Sequence, residues 1–246
     1  EYWSIAADFT PEGSQASYRA KLAKIDGEDP VLSNQDDVNQ VLDEMRSARY
    51  HVDNIKKGQR RRSPSAPFIT STLQQDASRK LGFTARKTMA VAQQLYEGVE
   101  LDGQGTQGLI TYMRTDSTNI SEIALNETRD FIKTHYGEAY LPEEPPKYKT
   151  RTQSAQEAHE AIRPTSVLRQ PQDIKTFLSR DQFRLYQLIW QRFVSSQMMP
   201  AVYKTLSVEV LGKESQQVFL LRASGSQLTF SGFLTVYEEG KDEDTG

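Results

Sequence analysis

The sequence predicts an α+β fold in which a β-rich domain is interrupted by an inserted, mostly helical one. Apolar and polar residues alternate near both ends of the 246-residue chain, the period of a half-buried strand, while the middle repeats at helical spacing. The end strands are too short to stand alone, so the two ends are expected to pair with each other. With 37% hydrophobic and 26% charged residues, the chain can build the core of one large or two small domains. The expected boundaries are residues 1–67 and 200–246 for the discontinuous β domain and 68–199 for the helical one. Two independent β units around a helical domain form the alternative.

The elements follow in order. Trp3, Ile5, Ala7 and Phe9 share one face of a first strand, and Tyr18, Ala20 and Leu22 one face of a second, with a turn at Thr10-Pro11-Glu12-Gly13-Ser14 between them. Ser33 can cap a helix whose Val38, Val41, Leu42 and Met45 recur at i, i+3, i+4 and i+7, with Asp36 and Asp37 suiting its N-terminal dipole. Residues 50–55 read as a strand. Helices are expected over 70–81 and 84–97, parted by Gly82, and a third opens at Ser121. Pro142, Pro145 and Pro146 break the pattern. Ser179 and Gln182 form a capping box for the strongest helix, whose stripe is Tyr186, Ile189, Trp190, Phe193 and Val194. After Pro200 alternation returns, with strands around 202–210, 218–223 and 228–237.

Composition narrows the function classes. A mean hydropathy of −0.65 with no long apolar run leaves no transmembrane helix. The absence of cysteine removes disulfide scaffolds, thiolate zinc sites and cysteine nucleophiles, and fits a reducing compartment. A net charge of −3 means that nucleic-acid binding must use a local basic patch. No secretory signal is visible, and both ends, Glu1 and the acidic run from Glu238 to Asp244, read as cuts in a longer polypeptide.

Four segments bear on chemistry. Gly103-Gln104-Gly105-Thr106-Gln107-Gly108 spells a dinucleotide fingerprint, but a helix precedes it and the strand-like Leu109-Ile110-Thr111 follows, the reverse of the required order; a flexible connection is expected. In Tyr112-Met113-Arg114-Thr115-Asp116-Ser117, an extended backbone puts Arg114 on the face of Tyr112, where its guanidinium can stabilise a phenolate and grip a phosphate. Read alone, the pair also suits an ordinary surface. In the segment from Ser154 to Pro164, helical spacing would present Gln156, His159 and Arg163 on one polar face, with Glu160 pairing to Arg163. That face is either a solvated helix or a phosphate-facing pair. His159 lacks partners at metal-ligand spacing, so no metal site is expected in this chain. The run Lys56-Lys57-Gly58-Gln59-Arg60-Arg61-Arg62 reads as an exposed turn and as the clearest candidate for phosphate contact.

Taken together, the segments resemble the type IA DNA topoisomerase family, its bacterial members in particular. The resemblance rests on Ala66-Pro67-Phe68-Ile69-Thr70-Ser71-Thr72-Leu73-Gln74-Gln75, Lys80-Leu81-Gly82-Phe83, Ala92-Gln93-Gln94-Leu95-Tyr96-Glu97, the string from Gly108 to Ser117, and Ala158-His159-Glu160-Ala161-Ile162-Arg163-Pro164, in family order. Leu185-Tyr186-Gln187-Leu188-Ile189-Trp190 and Gln197-Met198-Met199-Pro200 complete it. The flanking β segments match loosely, and the basic run at 56–62 matches no family motif.

The resemblance implies that Tyr112 attacks single-stranded DNA, leaving a 5′-phosphotyrosine and a free 3′-hydroxyl, and that strand passage and religation relax negative supercoils without ATP. It implies catalytic roles for Tyr112, Arg114 and Asp116, and DNA contact by Arg114, His159 and Arg163; Lys56, Lys57, Arg60, Arg61 and Arg62 join them on charge alone. It further implies a chain equivalent to domains II and III, a β arch interrupted by the tyrosine-bearing domain. Magnesium would be held in the complete enzyme by a Toprim domain outside this chain, and a fourth domain is also absent. The isolated chain is therefore expected to be inactive, its partners being negatively supercoiled DNA and the missing domains, in the cytoplasm at the nucleoid. The rival readings are a non-catalytic helix-turn-helix DNA-binding module, with Tyr112 stacking on a base, and a structural arm.

Overall fold

The computed structural model describes residues 3–103, 105–148 and 159–237. In chain order the elements are β1 (Ala6–Phe9), β2 (Tyr18–Ile25), α1 (Gln35–Ser47), β3 (Arg49–Arg62), α2 (Thr70–Leu81), α3 (Ala85–Glu97), β4 (Val99–Leu101), β5 (Gly105–Gln107), α4 (Glu122–Tyr136), α5 (Arg180–Ser196), β6 (Ala201–Lys213) and β7 (Phe219–Phe230). They divide into two units: Glu1–Arg61 with Val202–Thr229, and Arg62–Ala201 with Phe230–Gly246.

The first unit is a five-stranded sheet in the order β1-β2-β7-β6-β3. Strands from the two ends of the chain share it: β2 runs antiparallel to β7, with Leu22 opposite Leu221 and Ile25 opposite Phe219. The β segments are therefore one discontinuous sheet and not two independent β units. Ile5, Ala20, Val210, Phe219 and Leu221 bury one face, and α1 adds Val38 and Met45 to the same cluster. The cap of α1 is Asn34 and not Ser33: Asn34 Oδ1 accepts from the Asp37 amide at 2.9 Å. Asp37 in turn accepts from the Ser33 amide. A one-residue shift suffices because both residue types can cap.

Two strand expectations change. β3 does not stop at Ile55; it continues through the basic run to Arg62, so Lys56–Arg61 lies on an exposed strand and not on a turn. β7 is a single strand through Gly225, and the stretch after Phe230 forms a 3-10 turn at Gly232–Thr235 instead of a further strand. Phe230–Tyr237 groups with the helical unit, although its place in sequence suggested the β domain.

In the second unit, α2, α3 and α5 pack on one another. Gly82 ends α2 in the left-handed region at φ 68°, and the Ser179–Gln182 capping box opens α5, with the Ser179 amide donating to Gln182 Oε1 at 2.9 Å. The α5 stripe is buried as its spacing predicts, and Trp190 donates its indole N–H to the Val167 carbonyl. α5 also buries Arg192, beside Asp76 of α2 at 3.5 Å; Asp76 is hydrogen-bonded by the Tyr237 hydroxyl. The Lys80 ammonium sits 3.6 Å from the centre of the Tyr237 ring. This buried charge network ties Tyr237 to the helices.

The glycine-rich segment is no loose connection. β4 and β5 form an antiparallel hairpin with Leu101 opposite Gly105, and Gly103 and Gly105 take φ values of 70° and 65°. The expected strand at Leu109-Ile110-Thr111 is extended chain with one isolated bridge, Ile110 to Pro164.

Candidate active site

The hairpin returns the chain alongside the C-terminal end of α3, where the Leu109 amide donates to the Leu95 carbonyl at 2.8 Å. Gly108 passes the α3 terminus so closely that a Cβ there would lie 2.9 Å from the Tyr96 carbonyl oxygen. The approach brings the ring of Tyr96 to 5.3 Å from that of Tyr112, at an interplanar angle of 64°. Such edge-to-face packing holds an exposed ring without covering it.

From residue 112 to residue 117 the side chains alternate strictly between solvent and interior. Met113, Thr115 and Ser117 are 2%, 9% and 0% exposed, while Tyr112, Arg114 and Asp116 face solvent, Tyr112 with 48% of its surface open. Period-two alternation therefore sets the phenol and the guanidinium side by side, as the spacing predicts. Hydrogen bonds fix this register from both sides. Thr70, the first residue of α2, donates its hydroxyl to the Met113 carbonyl at 2.8 Å and lies 3.1 Å from the Thr115 carbonyl. Its hydroxyl also accepts from the Thr115 amide at 2.9 Å, and its own amide donates to the Thr115 carbonyl at 3.0 Å. On the other side Thr111 donates to the Ala161 carbonyl at 2.6 Å and accepts from the Arg163 amide.

The segment from His159 to Pro164 is extended and not helical. Ile162 pairs with Phe68, and the Ala161 amide donates to the Asn119 carbonyl. Tertiary pairing thus overrides a run that is helix-favouring by composition. Gln156 lies outside the described residues, so the expected Gln156–His159–Arg163 face is reduced to two members. These part ways: His159 is exposed, while the Arg163 side chain is only 10% exposed. The Arg163 guanidinium is largely buried. It binds Glu160 at 2.5 Å and the Pro164 carbonyl at 3.0 Å. The expected Glu160–Arg163 pair is present, but within an extended segment and not a helix.

Glu160 also accepts from the Ser121 amide at 2.7 Å, at the N-terminus of the 15-residue α4, where a carboxylate suits the helix dipole. Burial by itself raises the Glu160 carboxyl. The hydrogen bonds from Ser121 and the charge and hydrogen bond of Arg163 outweigh burial and hold it below its ordinary range.

Tyr96, Thr111, Tyr112, Arg114, Thr115, His159 and Glu160 line one pocket of about 260 Å³. The structure thus brings Tyr112, Arg114 and His159 together. Asp116 shares their exposed face without lining the pocket. Tyr96 and Glu160 were not expected there as site residues; the glycines at 98, 103, 105 and 108, which force the chain to double back, were the available signal for Tyr96. Lys56, Lys57 and Arg60 belong to the other unit, lining a surface pocket of about 400 Å³ with Thr205, Ser224 and Ser226. Arg61 is exposed on the same strand, and Arg62 sits 5.8 Å from the Phe233 ring of the helical unit.

Tyr112 and Arg114 thus present a phenolic oxygen and a guanidinium to the same small pocket. Comparison with known proteins then places the fold. The sequence model of the DNA topoisomerase family matches residues 1–246. The chain is 49% identical over 98% of its length to DNA topoisomerase 1 of Xylella fastidiosa strain Temecula1, and to the same extent to that of strain 9a5c. It spans about 30% of the length of these curated relatives. The full-length topoisomerase I structure from Thermotoga maritima superposes with a TM-score of 0.71 at 36% identity, covering 93% of this chain and 36% of that one. The chain belongs to the type IA DNA topoisomerase family.

Proposed function

We propose that this chain supplies the DNA-cleaving tyrosine of a type IA topoisomerase. The phenolic oxygen of Tyr112 attacks a backbone phosphorus of single-stranded DNA. The bond to the 3′-oxygen breaks, that oxygen takes up a proton, and the 5′-phosphate remains on Tyr112. Arg114 holds the phosphate or the phenolate with its fork of donors, and Asp116 supports the geometry of religation. The bond energy is kept in the phosphotyrosine, so resealing after strand passage needs no ATP, and negative supercoils relax. The observation that carries the reading is Tyr112, half exposed in a pocket shared with Arg114 and His159, in a chain of this family.

His159 contacts DNA beside the site, and the basic strand carrying Lys56, Lys57, Arg60, Arg61 and Arg62 contacts phosphates away from it. Arg163 supports the site from behind, through Glu160 and the backbone of the 159–164 segment. No described helix is long and apolar enough to cross a membrane. The protein acts on chromosomal DNA, in the cytoplasm at the nucleoid.

Magnesium serves the complete enzyme by supporting phosphoryl transfer. Among the described residues no group of three or more His, Asp or Glu side chains is placed to hold a metal, and no step here runs through one. The carboxylates that hold it belong to a Toprim domain outside the chain, and the isolated chain neither cleaves nor relaxes DNA. Nothing in the comparisons supports a non-catalytic DNA-binding module.

Denaturant trapping tests the assignment. A full-length protein bearing this chain, mixed with end-labelled single-stranded DNA and magnesium, is expected to yield a covalent adduct that disappears in Tyr112→Phe. An adduct of equal yield in both removes Tyr112 from the mechanism.

A further inference from the structure

Thr70 stands at the first position of α2, where a threonine ordinarily faces water and the backbone amide has no partner inside the helix. Here neither group is spent on its own helix. The Thr72 hydroxyl, not Thr70, serves the helix start by accepting from the Ile69 amide at 3.0 Å. The Thr70 hydroxyl instead reaches across 43 residues of chain to the Met113 carbonyl at 2.8 Å and takes the Thr115 amide at 2.9 Å. The Thr70 amide takes the Thr115 carbonyl at 3.0 Å. Its backbone and side-chain groups therefore grip the two inward-facing residues on either side of Arg114.

The grip matters because side-chain direction in an extended segment has a period of two. A slip of one residue would turn Tyr112 and Arg114 inward and bring Met113 and Thr115 out. Apolar burial of Met113 opposes the slip, but Thr115 and Ser117 are small and polar, so burial alone specifies the register weakly. Hydrogen bonds to the carbonyls of 113 and 115 and to the amide of 115 specify it directly. A displacement of the phenol by about an ångström is enough to slow a positioned reaction by about two orders of magnitude.

We propose that Thr70 is a positioning residue for the cleavage reaction, its hydroxyl fixing the register that aims Tyr112 and Arg114 at the scissile phosphate. The proposal rests on the topoisomerase reading for its catalytic half and on the hydrogen bonds alone for its structural half.

Two arms test it. In the chain as it stands, Thr70→Val keeps the shape and removes the hydroxyl; amide exchange at Thr115 is expected to accelerate at least about tenfold, while amides of α5 keep their wild-type rates. In the full-length protein, single-turnover cleavage by Thr70→Val is expected to slow about tenfold or more at saturating single-stranded DNA, with DNA affinity unchanged within about twofold. Thr70→Ser, which keeps the hydroxyl, is expected to restore both. Wild-type exchange at Thr115 together with wild-type cleavage in Thr70→Val overturns the proposal. So does equal damage in the valine and serine variants, or loss of protection across α5, either of which marks a general packing effect. Failure of the topoisomerase reading shows separately, as a wild-type protein without adduct or an adduct that survives Tyr112→Phe. In that event exchange at Thr115 still decides whether Thr70 holds the segment.

Discussion

Replacing Glu160 by Gln breaks one contact and leaves its neighbours in place. The amide oxygen can still accept from the Ser121 amide, now at 2.7 Å from Glu160. What is lost is the 2.5 Å charge-assisted bond to Arg163, whose Nε already lacks a hydrogen-bond partner. Removing one member of a fully buried pair costs about 3–5 kcal/mol. Here Arg163 is 10% exposed but Glu160 is 27% exposed, so solvent screening reduces the expected cost to about 2–3 kcal/mol. For a chain of this size that corresponds to a fall in Tm of roughly 5–10 °C. Calorimetry at pH 7 measures it, and Arg163→Met with the double variant isolates the pair, with an expected coupling above about 1 kcal/mol. The dependence on pH gives an independent check. The Glu160 carboxyl is held below its ordinary value of 4.5 in the folded protein. Its contribution is therefore fully present above that value and is lost as pH falls through the lower folded value. The gap between wild type and Glu160→Gln should close on acidification. A Tm within about 2 °C of wild type at pH 7, or a gap that widens in acid, refutes this account of the pair.

Other expectations concern the frame and the basic strand. Gly108→Ala places a methyl group 2.9 Å from the Tyr96 carbonyl oxygen, so the backbone must shift, at a cost of about 1–3 kcal/mol. Urea unfolding should show a lower midpoint with an unchanged slope. Neutralising Lys56, Lys57 and Arg60 to Gln should lower the slope of log affinity for single-stranded DNA against log salt by about 0.7 for each phosphate contact removed. An unchanged slope would remove the strand from the DNA interface.

Where the sequence could be read and where it could not follows from the range of the forces involved. The α5 stripe and its capping box are local, set by side chains within a few residues of each other, and they stand as spaced. The cap at Asn34 instead of Ser33 misses by one residue because adjacent capping residues are locally equivalent. Sequence pattern ends β3 at Ile55, short of its extent to Arg62, because the continuation carries lysines and arginines on an exposed strand, and charge without alternation looks like a turn. The partners that make Lys56–Arg62 a strand lie about 150 residues away, exemplified by Asn54 bonding Glu209. The 159–163 string shows the same limit in reverse. Alanine and glutamate favour a helix, yet Phe68 and Asn119 claim the backbone of Ala161 and Ile162.

The site divides along the same line. The common face of Tyr112 and Arg114 depends on nothing beyond period two, so it was legible. The inward turn of Arg163 depends on Ser121 and Glu160 meeting at the start of α4, which no spacing announces. This division has a functional consequence. Thr70, Thr111, Glu160 and Arg163 join the backbones of three segments behind Tyr112, so changes among them should alter the rate of bond cleavage more than DNA affinity. Lys56, Lys57 and Arg60 belong to the other unit, so changes there should alter affinity and its salt dependence while the rate at saturation stays fixed. If neutralising the basic strand slowed cleavage at saturating DNA as strongly as Thr70→Val, positioning could not be a property of the tyrosine-bearing unit alone.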